Sequence, residues 1–404
     1  LLKLIIGLRL VIALSLATTT MADSEILQKQ SDQVINLTGQ LSAPLTHSEK
    51  VITLVDAVNL SLLHNPELAS FAKEIRALGG VTLQAGLLRN PEISVNIENI
   101  GNIQKLRGDL NAPESIVQEI VQQVTTIRIG QLIELGGKRA ARVNAAQIGE
   151  EVAVKDYEAR RIDIMARVAN LFTEVIAAQE RLKLAVEIKQ LAQNVVDTVI
   201  LRVKAGKVPP IEETRAKVSL SAGNIEDEQA QRDLLSARKR LALMWDSADP
   251  QFDNALGDLE ALIAPPDFSH LQKLLLANPL ALRALKNIEH RRALLEVEQT
   301  RRIPNLTVNA GVVNYALIGG NTAIASISVP LPLFDRNQGN LKEAHERVNK
   351  AQDERLALEL RLRTELTQSY ESLTAAWNEI NILRSEILPG AKSAFNVMRR
   401  GYEL

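Results

Sequence analysis

The stretch that decides the fold is residues 127–150, IRIGQLIELGGKRAARVNAAQIGE. Ile127, Ile129 and Ile133 fall on every second position with Gln131 between them. That is the period of a half-buried strand. Gly136-Gly137 ends the run, and from Lys138 onward no proline appears until the punctuation Ala205-Gly206-Lys207-Val208-Pro209-Pro210. The pattern predicts one helix over 138–204, roughly 100 Å long at about 1.5 Å per residue. That is far beyond ordinary globular length. Met165, Val168, Phe172, Val175 and Leu182 mark an apolar seam, and Ile188, Leu191, Val195 and Val199 continue it with a shift. So long a rod buries such a stripe only inside a coiled-coil-like assembly.

Upstream, Ile93, Val95 and Ile97 alternate with Ser94, Asn96 and Glu98 just after Asn90-Pro91. Strands over about 91–101 and 121–135 therefore form a hairpin around a long polar loop. Before it lie two helices, from near Leu54 to about Leu63 and on to about Leu88. Asn65-Pro66-Glu67 separates them as N-cap, first helical residue and first-turn acid. After the rod a helix runs over 211–245, and 246–266, rich in Asp, Pro and Gly, reads as a connector.

Then the order begins again. Asn278-Pro279 follows Asn65-Pro66, and Pro304 follows Pro91, at the same separation of 213 positions. Leu306, Val308, Ala310 and Val312 form one strand face, and Ala323, Ala325, Ile327 and Val329 that of a partner. Beyond the second hairpin, Tyr370 follows Phe172 and Ala375-Ala376 follows Ala177-Ala178 at 198 positions, so the second hairpin loop is 15 residues shorter. This is an internal two-fold repeat: 51–245, then 267–404 with strands over about 305–315 and 321–333 and a long helix over 336–404. The second copy ends at Gly401-Tyr402-Glu403-Leu404, where the first reads Arg202-Val203-Lys204-Ala205. The chain reads as truncated at its C-terminus.

Composition narrows the function. Of 404 residues 46% are hydrophobic but only 3% aromatic, which favours Ala/Leu/Val helix seams over a compact aromatic core. The formal net charge of -1 shows no basic domain for nucleic acid. The chain contains no cysteine, which removes disulfides, thiolate metal sites and Cys nucleophiles. Lys3 and Arg9, the apolar run Leu10 to Ala17 and small residues up to Ala22 read as a secretory signal peptide over 1–22, followed by a polar lead segment over 23–50. No later run is long and apolar enough for a spanning helix, so membrane insertion requires a β-barrel. His47, His64, His270, His290 and His345 are scattered, with no i, i+4 pair, and suggest no metal site. Gly136-Gly137 lacks phosphate-loop spacing and serves as a strand-to-helix turn. No nucleophile sits in a strand–turn–helix elbow, so neither catalytic residues nor a cofactor are expected.

These junctions carry a resemblance: LRNPEI at 88–93, IELGGKR at 133–139, IPNL at 303–306 and VPLPLFDRNQG at 329–339. In this order and spacing they resemble the outer-membrane efflux protein family, the TolC-type channels, and are most similar to its cobalt–zinc–cadmium and copper–silver branch. Two departures are the truncated end and the absence of the acylated Cys of many metal-branch relatives. The resemblance implies an α+β membrane protein: a homotrimer whose protomers each give two hairpins to a twelve-stranded β-barrel in outer-membrane lipid, above a coiled-coil barrel of long helices in the periplasm. It implies a passive exit duct, not an enzyme, coupled through a periplasmic adaptor (membrane fusion) protein to an inner-membrane RND-type pump. Heavy-metal cations are the implied substrate, with drugs or a polypeptide as alternatives. Ala205, Gly206, Lys207 and Val208 would form one periplasmic tip contacting the adaptor, and Gly401 and Tyr402 would begin the other. Tyr402 falls at the family's gating position, and Gly136, Gly137 and Asp335 mark the strand-to-helix turns. A periplasmic coiled-coil scaffold is the alternative outside the family; it accounts for the rods but not for the hairpins, which themselves lack an obvious aromatic girdle.

Overall fold

The computed structural model describes residues 51–100, 123–259, 261, 263–316 and 319–403. The expected signal peptide, the lead segment and most of the first hairpin loop lie outside the described residues. In chain order the elements are β1 (Val51–Thr53), α1 (Leu54–His64), α2 (Pro66–Gly86), β2 (Glu92–Glu98), β3 (Val124–Ile133), α3 (Lys138–Lys204) and α4 (Ile211–Ala242). There follow β4 (Asn254–Leu256), α5 (Phe268–Leu274), α6 (Pro279–Arg301), β5 (Leu306–Tyr315), β6 (Gly320–Ser328), α7 (Gln338–Ile382) and α8 (Leu388–Glu403).

The rod α3 has 67 residues and organises everything else. Near its start, Ala141 and Ala145 pack against Ala293 and Val297 of α6. Alanines let the backbones approach, and a Cβ on Gly149 would meet His290 Nε2 at 3.3 Å. Mid-rod, Ile164, Val168, Phe172, Val175 and Ile176 are buried among Ala57, Leu68, Leu234, Ala237 and Leu241. Each full side-chain burial of this kind contributes about 1.5–3 kcal/mol. Near its far end Val196 and Val199 close on Ala216 of α4. Between these last two clusters Lys189 Nζ donates to Asp227 Oδ2 at 2.9 Å.

Asn65 and Asn278 cap α2 and α6 alike. Their side chains accept from Leu68 N at 3.1 Å and Leu280 N at 2.8 Å, and Pro66 and Pro279 open the two helices. Thr53 and Asp56 form a reciprocal capping box at α1.

Part of the expected apolar seam, Met165, Ile188, Leu191 and Val195, is exposed on the single chain, in keeping with a stripe that only an assembly buries. The heptad stripe there is intact, but the partner helix α4 sits on the neighbouring face. The supposed connector contains β4, which pairs in parallel with β1, Ala255 opposite Ile52. Gln179 of α3 extends that ladder like a backbone unit, accepting from Ala255 N at 2.8 Å and donating to Ala255 O at 3.1 Å. The second strand of the second hairpin ends at Ser328 rather than near 333, because Pro330 and Pro332 carry no N–H for a ladder. The last long helix begins at Gln338 rather than 336 and runs without a break to Glu403, with a π turn, Leu383–Ile387, between α7 and α8. Pro389 lies just beyond; its ring would strike the Ser385 carbonyl of a regular helix, and the wider turn relieves that clash.

Candidate functional site

β2, β3, β5 and β6 form one antiparallel sheet in that order, so the strands of the two halves join through β3 and β5. The register gathers outward apolar residues into two rows. Ile93 pairs with Ile129, Ile129 with Ala310 and Ala310 with Ala325; Val95, Ile127, Val312 and Ala323 form the next row. This face is bare: Ile93 is 74% exposed, Ile127 53% and Ile327 71%. Rows between them are mostly polar or small: Ser94, Arg128 and Gly311 in one, where Ile324 is the apolar exception, and Glu92, Gly130, Asn309 and Ser326 in another. Asn309 Nδ2 donates to Ser326 Oγ at 3.2 Å there. Exposed apolar rows on one face, over a face that is mostly polar or small, suit hydrocarbon on the first side and water on the second.

At the helix end of the sheet the sequence motifs converge. Gly136 and Gly137 both have left-handed φ, +73° and +75°, and Gly137 is the N-cap of α3. Glu134 receives a two-pronged bond from Arg142, Nη1 to Oε1 at 2.6 Å and Nη2 to Oε2 at 2.9 Å, across the turn. Arg89 Nε lies 3.9 Å from the same carboxylate. Lys138, only 8% exposed, donates through Nζ to Asn305 Oδ1, and Ile303 packs beside Gly136. The LRN, IELGGKR and IPN segments are thus one junction holding both halves together. Fork geometry makes the Glu134–Arg142 pair the firmest part of it.

In the second half the left-handed residue is Asn337, φ +60°, not Asp335. Asp335 Oδ1 instead accepts from Asn337 N at 2.9 Å, and Asn337 Nδ2 donates to Glu298 O and Oε2, both at 2.8 Å. Sequence reading missed Asn337 and the Glu134–Arg142 fork. The signal for the first was there, since Asn is the non-glycine residue that best tolerates this backbone.

At the far end of α3, Ala205, Gly206 and Lys207 are exposed and Val208 is half-buried. Gly206, φ +68°, lets its N–H reach Val203 O at 2.9 Å while Lys207 N reaches Arg202 O at 2.9 Å. This double closure is a Schellman motif, which makes the turn rigid rather than loose. Glu212 and Glu213 open α4 a few residues on. Gly401 and Tyr402 lie in the last turn of α8, whose backbone stays helical to Glu403. The turn after α3 and the strand-to-helix junction lie at opposite ends of α3.

Among the described residues no group of three His, Asp or Glu side chains is placed to hold a metal ion. His290 is half-buried against α3, and burial pushes its pKa down, with Arg291 acting the same way. The grooves between α6 and α7 are open; the larger, of about 500 Å³, is lined by Ile288, Glu289, Arg292, Arg355 and Leu356. No described helix is long and apolar enough to cross a membrane.

A family model described as "Outer membrane efflux protein" matches residues 57–246 and 270–404. The cobalt-zinc-cadmium resistance protein CzcC of Cupriavidus metallidurans is 36% identical over 352 residues, covering 87% of this chain and 80% of that protein. The nickel-cobalt-cadmium resistance protein NccC of Alcaligenes xylosoxydans xylosoxydans is 28% identical, covering 72% of this chain and 63% of that one. Among solved structures, that of CusC, described with its folding and transmembrane channel formation, superposes with a TM-score of 0.66. It covers 90% of this chain and 85% of its own at 14% identity, a likeness of fold.

Proposed function

The chain belongs to the outer membrane efflux protein family, and on that premise we propose how its parts divide the work of a metal-export duct. It is the outer-membrane channel component of a metal-efflux system, working in the outer membrane and extending into the periplasm. Its relatives confer resistance to cobalt, zinc, cadmium and nickel by name, and divalent cations of this kind are the substrate we assign.

Three copies close a twelve-stranded barrel in outer-membrane lipid, each giving β2, β3, β5 and β6. The observation that carries this reading is the pair of exposed apolar rows on one face of the four-stranded sheet, over a mostly polar or small one. A sheet with one lipid-compatible face and two open edges satisfies its backbone in a membrane only by closing a ring. Below it the long helices form a periplasmic tunnel. The matching caps at Asn65 and Asn278 support descent of both halves from one duplicated unit. No covalent step is required; the duct offers a water-filled exit, and energy comes from an inner-membrane pump through a periplasmic adaptor. The adaptor reads the rigid turn at Ala205, Gly206, Lys207 and Val208 and the second tip beginning at Gly401 and Tyr402. Opening is a two-state movement of the tips, biased by adaptor binding, and the Tyr402 hydroxyl helps to hold the closed state.

Expression in an outer-membrane host tests the reading. A trimer of heat-modifiable mobility in the outer-membrane fraction, ion conductance in planar bilayers, and loss of cobalt, zinc or cadmium tolerance on gene deletion are expected. A soluble periplasmic product without conductance would leave only the scaffold. Tyr402→Phe is expected to raise leak conductance, and unchanged conductance removes the gate assignment.

A further inference from the structure

The strands β2, β3, β5 and β6 carry three charged residues, Glu92, Glu98 and Arg128. Alternation puts all three on one face, the one opposite Ile93 and Ile127. The same face holds the buried residues of these strands, Thr126 and Val313, which pair with each other and are 4% and 8% exposed. Burial on that side alone is what the concave face of a curled sheet gives. In depth Arg128 stands between the two acids. It is level with Ser94, whereas Glu92 is level with Gly130 and Glu98 with Val124.

The neighbours of Arg128 leave its charge unanswered. Across the ladder it faces Ser94 on β2 and Gly311 on β5. A Cβ on Gly311 would lie 3.0 Å from Arg128 Cγ, so the stem leans over the glycine and any side chain there would displace it. Arg128 Nε is shut off from solvent without an acceptor, and no ion pair joins Arg128 to a carboxylate among the described residues. Glu92 is only a diagonal neighbour, about 7–8 Å away between Cα atoms, and Glu98 is farther along the strand. A guanidinium keeps its charge at every working pH. What is left to answer it is an ion from the lumen.

We infer that Arg128 sets the ion preference of the exit barrel: it makes the lumen electropositive at its own level, draws in small inorganic anions, and keeps divalent cations from lodging on the Glu92 and Glu98 carboxylates on either side. Rings of carboxylate concentrate cations and rings of arginine concentrate anions, and a conduit conducts only if its sites also release. An exit lined by carboxylates alone would hold the cargo it should discharge. Twelve strands about 4.8 Å apart, tilted about 35–45°, make a circle of about 12 Å radius, on which three guanidinium groups stand about 20 Å apart. The screening length is about 8 Å at 0.15 M salt and about 30 Å at 0.01 M, so their fields merge across the lumen only when salt is low. The inference rests on the reading of the chain as a ring of several copies with this face inside.

The chain contains no cysteine, so a single introduced thiol reads the potential at a chosen point. Ile324 is level with Arg128 and on the same face, but two strands away on β6, about 10 Å at the usual strand spacing. In outer membranes holding the full chain with Ile324→Cys, the measured quantity is the rate of modification by an anionic thiosulfonate divided by that by a cationic one, each relative to a free thiol. At about 0.01 M salt this ratio should exceed one, and at about 1 M it should approach one. Arg128→Gln should lower it about fivefold at low salt, since one kT of local potential changes it about sevenfold. Arg128→Lys should keep it; loss of the effect there would mean shape rather than charge and overturns the inference. So does a ratio that Arg128→Gln leaves unmoved while both reagents react, and the channel reading then stands. If Arg128→Gln does not assemble, the parent decides: a ratio at or below that of the free thiol, or one indifferent to salt, overturns the inference. If neither reagent reaches the thiol at 324, that face is not the water-filled one, and the barrel reading falls together with the inference.

Discussion

Gly136 occupies a left-handed backbone with no room for a side chain. A Cβ there would lie 2.5 Å from Ile303 Cδ1 and 3.0 Å from its Cβ. Gly206 has the same handedness at φ +68° but open space around it. Gly206→Ala should therefore cost about 1 kcal/mol from backbone alone. Gly136→Ala adds to about 1–2 kcal/mol of backbone strain the displacement of a packed side chain that joins both halves. Urea titration of assembled protein should rank Gly136→Ala clearly below Gly206→Ala, and equal stability would remove the junction as an anchor. Asp227 gives a second test. The Lys189 ammonium bonded to it, and then Gln231, hold its carboxyl below the usual value of 3.8. A carboxylate depressed in the folded state stabilises above its unfolded pKa, and that stability is lost as pH falls through the folded one. Asp227→Asn should melt below the parent at pH 7, with the gap closing as the pH falls through the parent's lowered carboxyl pKa and that carboxyl protonates. A gap that persists there would mean packing, not charge, is what Asp227 supplies. Both residues are legible in sequence only as types: Gly136 announces a turn, while the identity of Ile303 as its neighbour depends on a contact 167 positions away.

The elements read more easily than their partners. α3 is framed by Gly136-Gly137 before it and Gly206 with two prolines after it, and strong local punctuation of that kind needs no tertiary information. β1 and β4 escaped because three-residue strands carry no periodicity; only the β-branched pair Val51-Ile52 hinted at them. The π turn before α8 is signalled only by Pro389, a residue that sequence alone does not tell apart from a kink or a helix end. The face α3 turns to its neighbours is the subtlest case. Leu184, Ile188, Leu191 and Val195, spaced by four, three and four, stay 56%, 46%, 52% and 44% exposed. Buried Val196 and Val199 face α4 instead. A second apolar stripe on one rod needs a second helix, and in a ring of copies that helix belongs to a neighbour. Leu191→Glu should leave the helical circular dichroism of the chain intact while reducing the heat-modifiable oligomer severalfold. An undiminished oligomer would place the subunit contact elsewhere on the rod.

At the scale of the whole molecule, the two faces of one sheet must meet two solvents, and this sets the most demanding test. Ile127 and Asn96 sit on adjoining strands, Ile127 opposite Val95 and Asn96 opposite Thr126, so they share a depth but point to opposite faces. A lysine at the lipid face near mid-bilayer costs about 2–4 kcal/mol, whereas lumen substitutions alter selectivity and leave assembly largely alone. Ile127→Lys should therefore deplete the proposed trimer from the outer-membrane fraction. Asn96→Lys should assemble normally, lower cation over anion permeability in planar bilayers and reduce cobalt, zinc or cadmium tolerance of the host, since a ring of added positive charge repels the cargo. If Asn96→Lys blocked assembly while Ile127→Lys conducted, the sheet would be facing the other way. If neither affected membrane insertion, the bare apolar rows would be covered by protein rather than lipid, and the rods would be a scaffold after all.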